Sequence, residues 1–311
     1  MTVDSPPEGA TLGVGDQGAT VTATLRVDDG FGQLAAVNWS AANYATGSCA
    51  LLPLPLTNAA PRQVSCTASF PIAPLDAANG LGVPFWFRVD AFDVARNMGF
   101  AIVDLTVANV PKIVSFDRAY GALNQQQPIT IRGAYFSSDA MAYVDVDAIV
   151  GSPPGNRLGG DVQDSGTIMG FTPRSSQAHD ATVSVKTVAG VGGGPYPFRY
   201  TAPPKLRLIR PASGPTSGGV QVTVAGNDLL NGVIISFGPT YEASVPFYNA
   251  MYSADDKVVG CLPPGPSGPV NVWATDPITG VGELVLGFTY TDDPGGDPGM
   301  MAPACQAAAA Q

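Results

Sequence analysis

The chain has 311 residues, of which 45% are hydrophobic and only 13% charged, and it carries a formal net charge of −10. Single cores rarely outgrow about 100–200 residues, so two or three domains are expected. The acidic balance and the scarcity of lysine (Lys112, Lys186, Lys205 and Lys257) disfavour a grip on nucleic-acid phosphates.

The amino end, "MTVDSPPEGATL", has no basic region followed by an apolar run, so no signal peptide is expected, and the chain reads as a segment of a longer protein. No stretch approaches the roughly 20 uninterrupted apolar residues that a membrane-spanning helix needs. From there to residue 109, "ATVTATLRVDDG", "LAAVNWSAANY", "RQVSCTASF", "VPFWFRVDAFDV" and "GFAIVDLTVAN" alternate apolar and polar residues with the period of β-strands. Glycine (37) and proline (29) supply the turns that many short strands require.

Within this first segment, Cys49 and Cys66 flank a proline-rich excursion at a separation that suits two neighbouring strands. A disulfide between them is expected, the alternative being two buried thiols. Asp28 and Asp29 lie in one expected loop and Asp90, Asp93 and Asn97 in another. If those loops meet at one pole, their oxygens form a calcium candidate, although the same residues are ordinary turn chemistry. In "VPFWFRV", Phe85 and Phe87 share one face and Trp86 takes the other. The sequon at Asn38 is read as part of a strand.

"VANVPK" supplies an extended linker, and beyond it the chain repeats itself. "PKIVSFDRAYGALNQQQPITIRGAYF" from Pro111 aligns without a gap on "PKLRLIRPASGPTSGGVQVTVAGNDL" from Pro204, an offset of 93. "TIMGFTP" matches "KVVGCLP" and "FRYT" matches "FTYT", both at an offset of 90. Period-two runs such as "VQVTVAG", "VIISFG", "VNVWATD" and "LVLGFTY" fill these modules.

Catalytic chemistry is poorly supplied. His179 is the one histidine; Asp180, Ser175 and Ser176 are near it in sequence, but neighbours on a loop rarely point together, and a surface histidine is expected. Asp145 and Asp147 share a strand face and are expected to be solvated. The glycines Gly214, Gly218 and Gly219 lack the lysine of a phosphate loop and run into a strand, so they are read as a turn with positive φ. Trp273, like Trp86, is a candidate for stacking on a sugar or anchoring a partner if it faces outward, but packing in the core is the expected fate of both. Cys261 and Cys305 are expected to be unpaired, and the last twenty residues are expected to be a disordered tail.

The string Pro-x-Leu-x-x-Ile-x-Pro-x-x-Gly-Pro-x-x-Gly-Gly, followed by "VTVAG", "ISFG", "VVGCLPPGPSGPVNVWATD" and "GFTYT", resembles the IPT/TIG domain, an immunoglobulin-like module of plexins, some transcription factors and many bacterial surface proteins. Residues 110–202 resemble the same family, with "ALNQQQP" in place of "PTSGGVQ" and a longer middle. "SPPEGATL", "VDDGFGQLAAVNWS" and "FRVDAFDVARN" resemble bacterial immunoglobulin-like repeats, with Arg96 at a position that those repeats give to glycine. The resemblance implies an all-β protein of three tandem immunoglobulin-like β-sandwich domains, 1–109, 110–202 and 203–291, with a tail at 292–311. It also implies a non-catalytic segment, extracellular, cell-surface or periplasmic and bacterial, that acts as a spacer and an adhesion or interaction module. Its partner would be a protein or polysaccharide at the cell surface; no nucleic acid and no cofactor other than calcium is expected. The alternative is an accessory carbohydrate-binding module of a larger polysaccharide-active enzyme.

Overall fold

The computed structural model describes residues 1–29, 34–50, 62–144, 158–192, 196–253, 256–292 and 305. Every named element among them is a β-strand. The first are β1 (Thr2–Ser5), β2 (Thr11–Val14), β3 (Ala19–Asp29), β4 (Leu34–Ala41), β5 (Ala45–Ser48), β6 (Arg62–Ile72), β7 (Val83–Asp93) and β8 (Met98–Asn109). Then come β9 (Lys112–Phe116), β10 (Tyr120–Ala122), β11 (Pro128–Ala134), β12 (Met141–Val144), β13 (Gly159–Asp164), β14 (Thr167–Phe171), β15 (His179–Thr187), β16 (Gly190–Gly192) and β17 (Pro197–Thr201). The last are β18 (Lys205–Arg210), β19 (Ser213–Pro215), β20 (Gln221–Asn227), β21 (Ile234–Gly238), β22 (Val245–Pro246), β23 (Tyr248–Ser253), β24 (Lys257–Cys261), β25 (Gly268–Asp276) and β26 (Gly280–Thr291). Chain contacts group into two units: Met1–Asp117, Pro128–Thr172 and Thr182–Pro197 form one, and Arg118–Gln127, Pro173–Ala181 and Phe198–Gln311 the other.

In the first unit a three-stranded sheet, β1-β3-β6, faces a five-stranded sheet, β2-β8-β7-β4-β5. Alternation along β3, β6 and β7 turns Val21, Leu25, Phe70, Phe85, Phe87 and Val89 into one core between the layers. Phe70 comes from one sheet and lies 5.9 and 6.0 Å from the rings of Phe85 and Phe87 of the other. Cys66 on β6 is bonded to Cys49, just past β5, so the disulfide joins the two layers. The same unit holds a further sheet of four strands, β13-β14-β11-β9, whose inward residues include Ile113, Ile129, Ile131 and Ile168.

In the second unit β18-β20-β24-β23 packs on β19-β26-β25-β21-β22 around Val222, Val224, Ile235, Val272, Phe288 and Tyr290. The short β19 pairs parallel to β26, which corrects one sequence expectation: Gly214 is a strand residue, and a Cβ on it would meet Leu262 at 2.9 Å. The positive φ lies at Gly218 (74°) and Gly219 (78°) alone. Cys261 and Cys305 are bonded to each other and buried, which corrects the expectation that both are unpaired. The expected tail is thus tied at Cys305; its other residues beyond 292 lie outside the described residues, as do Asp145 and Asp147.

The internal repeat is visible in three-dimensional detail. Tyr200 donates a hydrogen bond to the carbonyl of Pro173, and Tyr290 to that of Pro263, each at 2.8 Å and each across 27 residues. Phe198 meets Tyr200 edge-on at 5.1 Å and Phe288 meets Tyr290 in the same way at 5.2 Å. The parallel pair Gly121↔Tyr200 has its counterpart in Gly214↔Tyr290. A Cβ on Gly192 would stand 1.5 Å from the carbonyl oxygen of Pro111, and one on Gly282 would stand 1.8 Å from that of Pro204. Only glycine admits so close a backbone, and each of the two closes a "GVG", at 190–192 and at 280–282.

Candidate functional site

The outer face of the five-stranded amino-terminal sheet is where the alternation of "VPFWFRVDAFD" has its consequence. With Phe85 and Phe87 in the core, strand alternation leaves Trp86 outside the sandwich and 40% exposed, which corrects the expectation that it packs in the core. The antiparallel register of β7 and β8 sets Trp86 opposite Asp104, Arg88 opposite Ile102 and Asp90 opposite Phe100. Directly opposed residues share a face, so these six form one surface.

Arg88 is fixed on that surface. Its Nε donates to Asp90 Oδ1 at 2.9 Å and its Nη2 donates to the same oxygen at 2.7 Å, while the guanidinium lies 4.9 Å from the centre of the Phe100 ring. The hydrogen bond to Asp90 raises the guanidinium above its ordinary value. Phe100 and Ile102 are 58% and 45% exposed, an unusual load of apolar surface for an outward row.

The calcium candidates separate. Asp28 lies on β3 of the three-stranded sheet and pairs in register with Gln63, whereas Asp90 and Asp93 lie on β7 of the other sheet. The backbone of Asp29 belongs to β3 as well. Asp90 is engaged by Arg88, and Asp93 accepts from the backbone and side-chain nitrogens of Asn97 at 2.8 and 2.7 Å. The Asn97 side-chain hydrogen bond holds the Asp93 carboxyl below its usual range. Arg96, in the same turn, has φ 68°, the left-handed conformation that glycine takes most easily. Among the described residues no group of three or more metal-ligating side chains gathers.

His179 departs from its expectation in one respect. Ser175 Oγ does come within 3.4 Å of His179 Nδ1, but the same nitrogen lies 3.0 Å from the Gln177 carbonyl and the ring stacks on Tyr200. His179 opens β15 instead of lying in a loop, and Ser175 approaches it from the segment just before that strand.

Trp273 also faces outward, half-buried, with Tyr241 edge-on at 5.6 Å. Cavities formed by described residues also lie elsewhere. One of about 310 Å³ is lined by Asp16, Pro111, Lys112, Val191 and Tyr196, and one of about 350 Å³ by Gln221, Met251, Val259 and Cys261.

A buried carboxylate, which the sequence reading missed, anchors the hairpin between β25 and β26. Asp276, 2% exposed, accepts from the amides of Ile278 and Thr279 and from the hydroxyl of Tyr120 at 2.8 Å. Burial and the bond to Asp276 push the Tyr120 phenol up to about 12. A raised folded-state value means that the neutral phenol supports the fold: its contribution is complete below the ordinary value of 10.0 and is lost as pH rises through about 12. In an alkaline titration followed by phenolate absorbance, Tyr120→Phe should remove the phenol that ionises near 12 and flatten the loss of stability in that window. An unchanged titration curve would contradict the assignment.

Comparison with known proteins adds the following. Residues 204–290 match the family model of the IPT/TIG domain. No curated protein matches the chain. Among solved structures, the chain is similar to the plexin A4 extracellular region at 12% identity and a TM-score of 0.39, covering 92% of this chain and 33% of that one. It is also similar to the titin I-band fragment I67-I69 at 12% identity and a TM-score of 0.30, covering 94% of this chain and 98% of that one. A third is the SGBP-B of the Bacteroides ovatus mixed-linkage glucan utilization locus in complex with a mixed-linkage heptasaccharide, at 10% identity and a TM-score of 0.25, covering 96% of this chain and 75% of that one. The chain thus spans about a third of the length of the plexin chain it matches. The fold is all-β and immunoglobulin-like, and residues 204–290 are an IPT/TIG domain.

Proposed function

We propose that the chain is a non-catalytic extracellular or cell-surface segment that serves as a spacer and an interaction module. It would be organised as an immunoglobulin-like domain at 1–109 and two IPT/TIG-like domains at 110–202 and 203–291. The observation that carries this reading is the state of the cysteines: all four are joined in two disulfides, which persist in oxidising compartments. Two further features agree with it. The shared tyrosine bonds and glycine seats relate 110–202 to 203–291, and Pro111 and Pro204 lie against glycines, so that each linker is seated in place.

The reading is tested on cells that make the full-length protein. Protease treatment of intact cells should release peptides of this chain, its cysteines should resist alkylation until reduced, and deleting residues 1–291 should lower cell attachment. Thiols that react at once, or attachment unchanged by the deletion, would count against it. The reading as an accessory carbohydrate-binding module has one observation in its favour, the outward Trp86 beside a fixed Arg88.

A further inference from the structure

We propose that the outer face of β7 and β8 is a binding platform for a neutral glycan, with Trp86 and Phe100 as the stacking rings and Arg88, Asp90 and Asp104 as the hydroxyl-binding groups. This assignment rests on the reading of the chain as an interaction module and names its ligand and its surface.

The argument is one of matching chemistry. Along β8, Phe100 and Ile102 stand out of the sheet at 58% and 45% exposure, and β7 sets Trp86 on the same face, diagonal to Ile102. Polar groups are interleaved with these rings. Asp104 lies directly opposite Trp86, and the Arg88–Asp90 fork lies between Trp86 and Phe100 with its guanidinium over the Phe100 ring. A sugar ring presents C–H groups on its faces and hydroxyls around its rim, and the hydroxyls both donate and accept. Its faces fit the rings, and its rim replaces water at the two carboxylates and the guanidinium.

A protein partner fits less well. It would strip water from Arg88, Asp90 and Asp104 at once, and the centres of protein interfaces are depleted in charge for that reason. The Arg88–Asp90 bond makes the fork neutral, which leaves Asp104 as the remaining charge of the six; with a chain charge of −10, this favours a neutral glycan over an anionic one. The two cavities lie elsewhere in the chain, and small molecules generally seek concave sites. A pleated sheet face supports the flank of a polymer instead.

The test uses the whole chain in affinity electrophoresis against soluble β-1,3-glucan, hydroxyethyl cellulose, β-mannan and starch, with titration of the retarding polymer followed by tryptophan fluorescence. At least one polymer should retard the protein. Trp86→Ala should weaken that binding about tenfold or more, a change of about 1.4 kcal/mol, and Phe100→Ala should weaken it as well. Trp273→Ala, on another sheet, should leave it unchanged. Both changes to the platform are at exposed positions, and an unaltered unfolding midpoint confirms that they act on the surface. Absence of retardation by all four polymers, or retardation that survives Trp86→Ala, overturns the proposal. Concentration-dependent self-association abolished by Trp86→Ala would also overturn it, assigning the face to a second copy. Release of reducing ends from any polymer would instead overturn the non-catalytic reading, whatever the binding result.

Discussion

Changing Phe70 to alanine should cost the amino-terminal sandwich about 3–5 kcal/mol, the range for removing a large aromatic from a packed core. Phe70 is 2% exposed and is the ring that one sheet contributes to an aromatic cluster otherwise supplied by the other: Trp39, Phe85 and Phe87 all lie within 6.0 Å of it. No neighbour can fill the space without leaving its own rotamer, because each is already packed against the rest. Urea unfolding followed by the fluorescence of Trp39 reads the effect directly. A loss of less than about 1 kcal/mol would mean that the two layers close without this cluster.

The second large effect concerns the carboxyl-terminal sandwich. Cys261 and Cys305 are 44 residues apart, and closing a loop of that length removes roughly 4 kcal/mol of chain entropy from the unfolded state. The 17-residue separation of Cys49 and Cys66 corresponds to roughly 3 kcal/mol by the same relation. The double variant Cys261→Ser, Cys305→Ser should therefore unfold at a lower temperature than the parent, and a mild reductant should lower the parent toward the variant. Equal midpoints with and without the bond would show that residue 305 contributes nothing to the stability of β24 and its neighbours.

Features that are local or copied were legible in the sequence. Trp86 was separable from Phe85 and Phe87 because strand geometry forces adjacent residues apart, and the core needed only to choose a side. Duplication made "FRYT" and "FTYT" visible, and these carry the two tyrosines whose bonds close their modules. The same copying left "GVG" in both modules, a signal that could have found the seats for Pro111 and Pro204. What escaped was set by distance along the chain. Asp276 receives Tyr120 from 156 residues away, and Cys305 reaches Cys261 out of a stretch with no periodicity at all. Arg88, Phe100 and Asp104 became a candidate surface only once the register of two strands was known. Along β8 itself, Phe100, Ala101, Ile102 and Val103 are apolar on both faces, so the sequence does not mark which of them is exposed.

The glycine seats have a consequence for which substitutions the repeat can accept. Pro111 and Gly192 fall within one copy of the repeat, and Pro204 and Gly282 within the next. Each of these contacts is thus closed inside a single copy, between two segments that travel together in the sequence. A side chain at either glycine would have to push aside main-chain atoms instead of a flexible neighbour, so these two positions accept no other residue without a shift of the backbone.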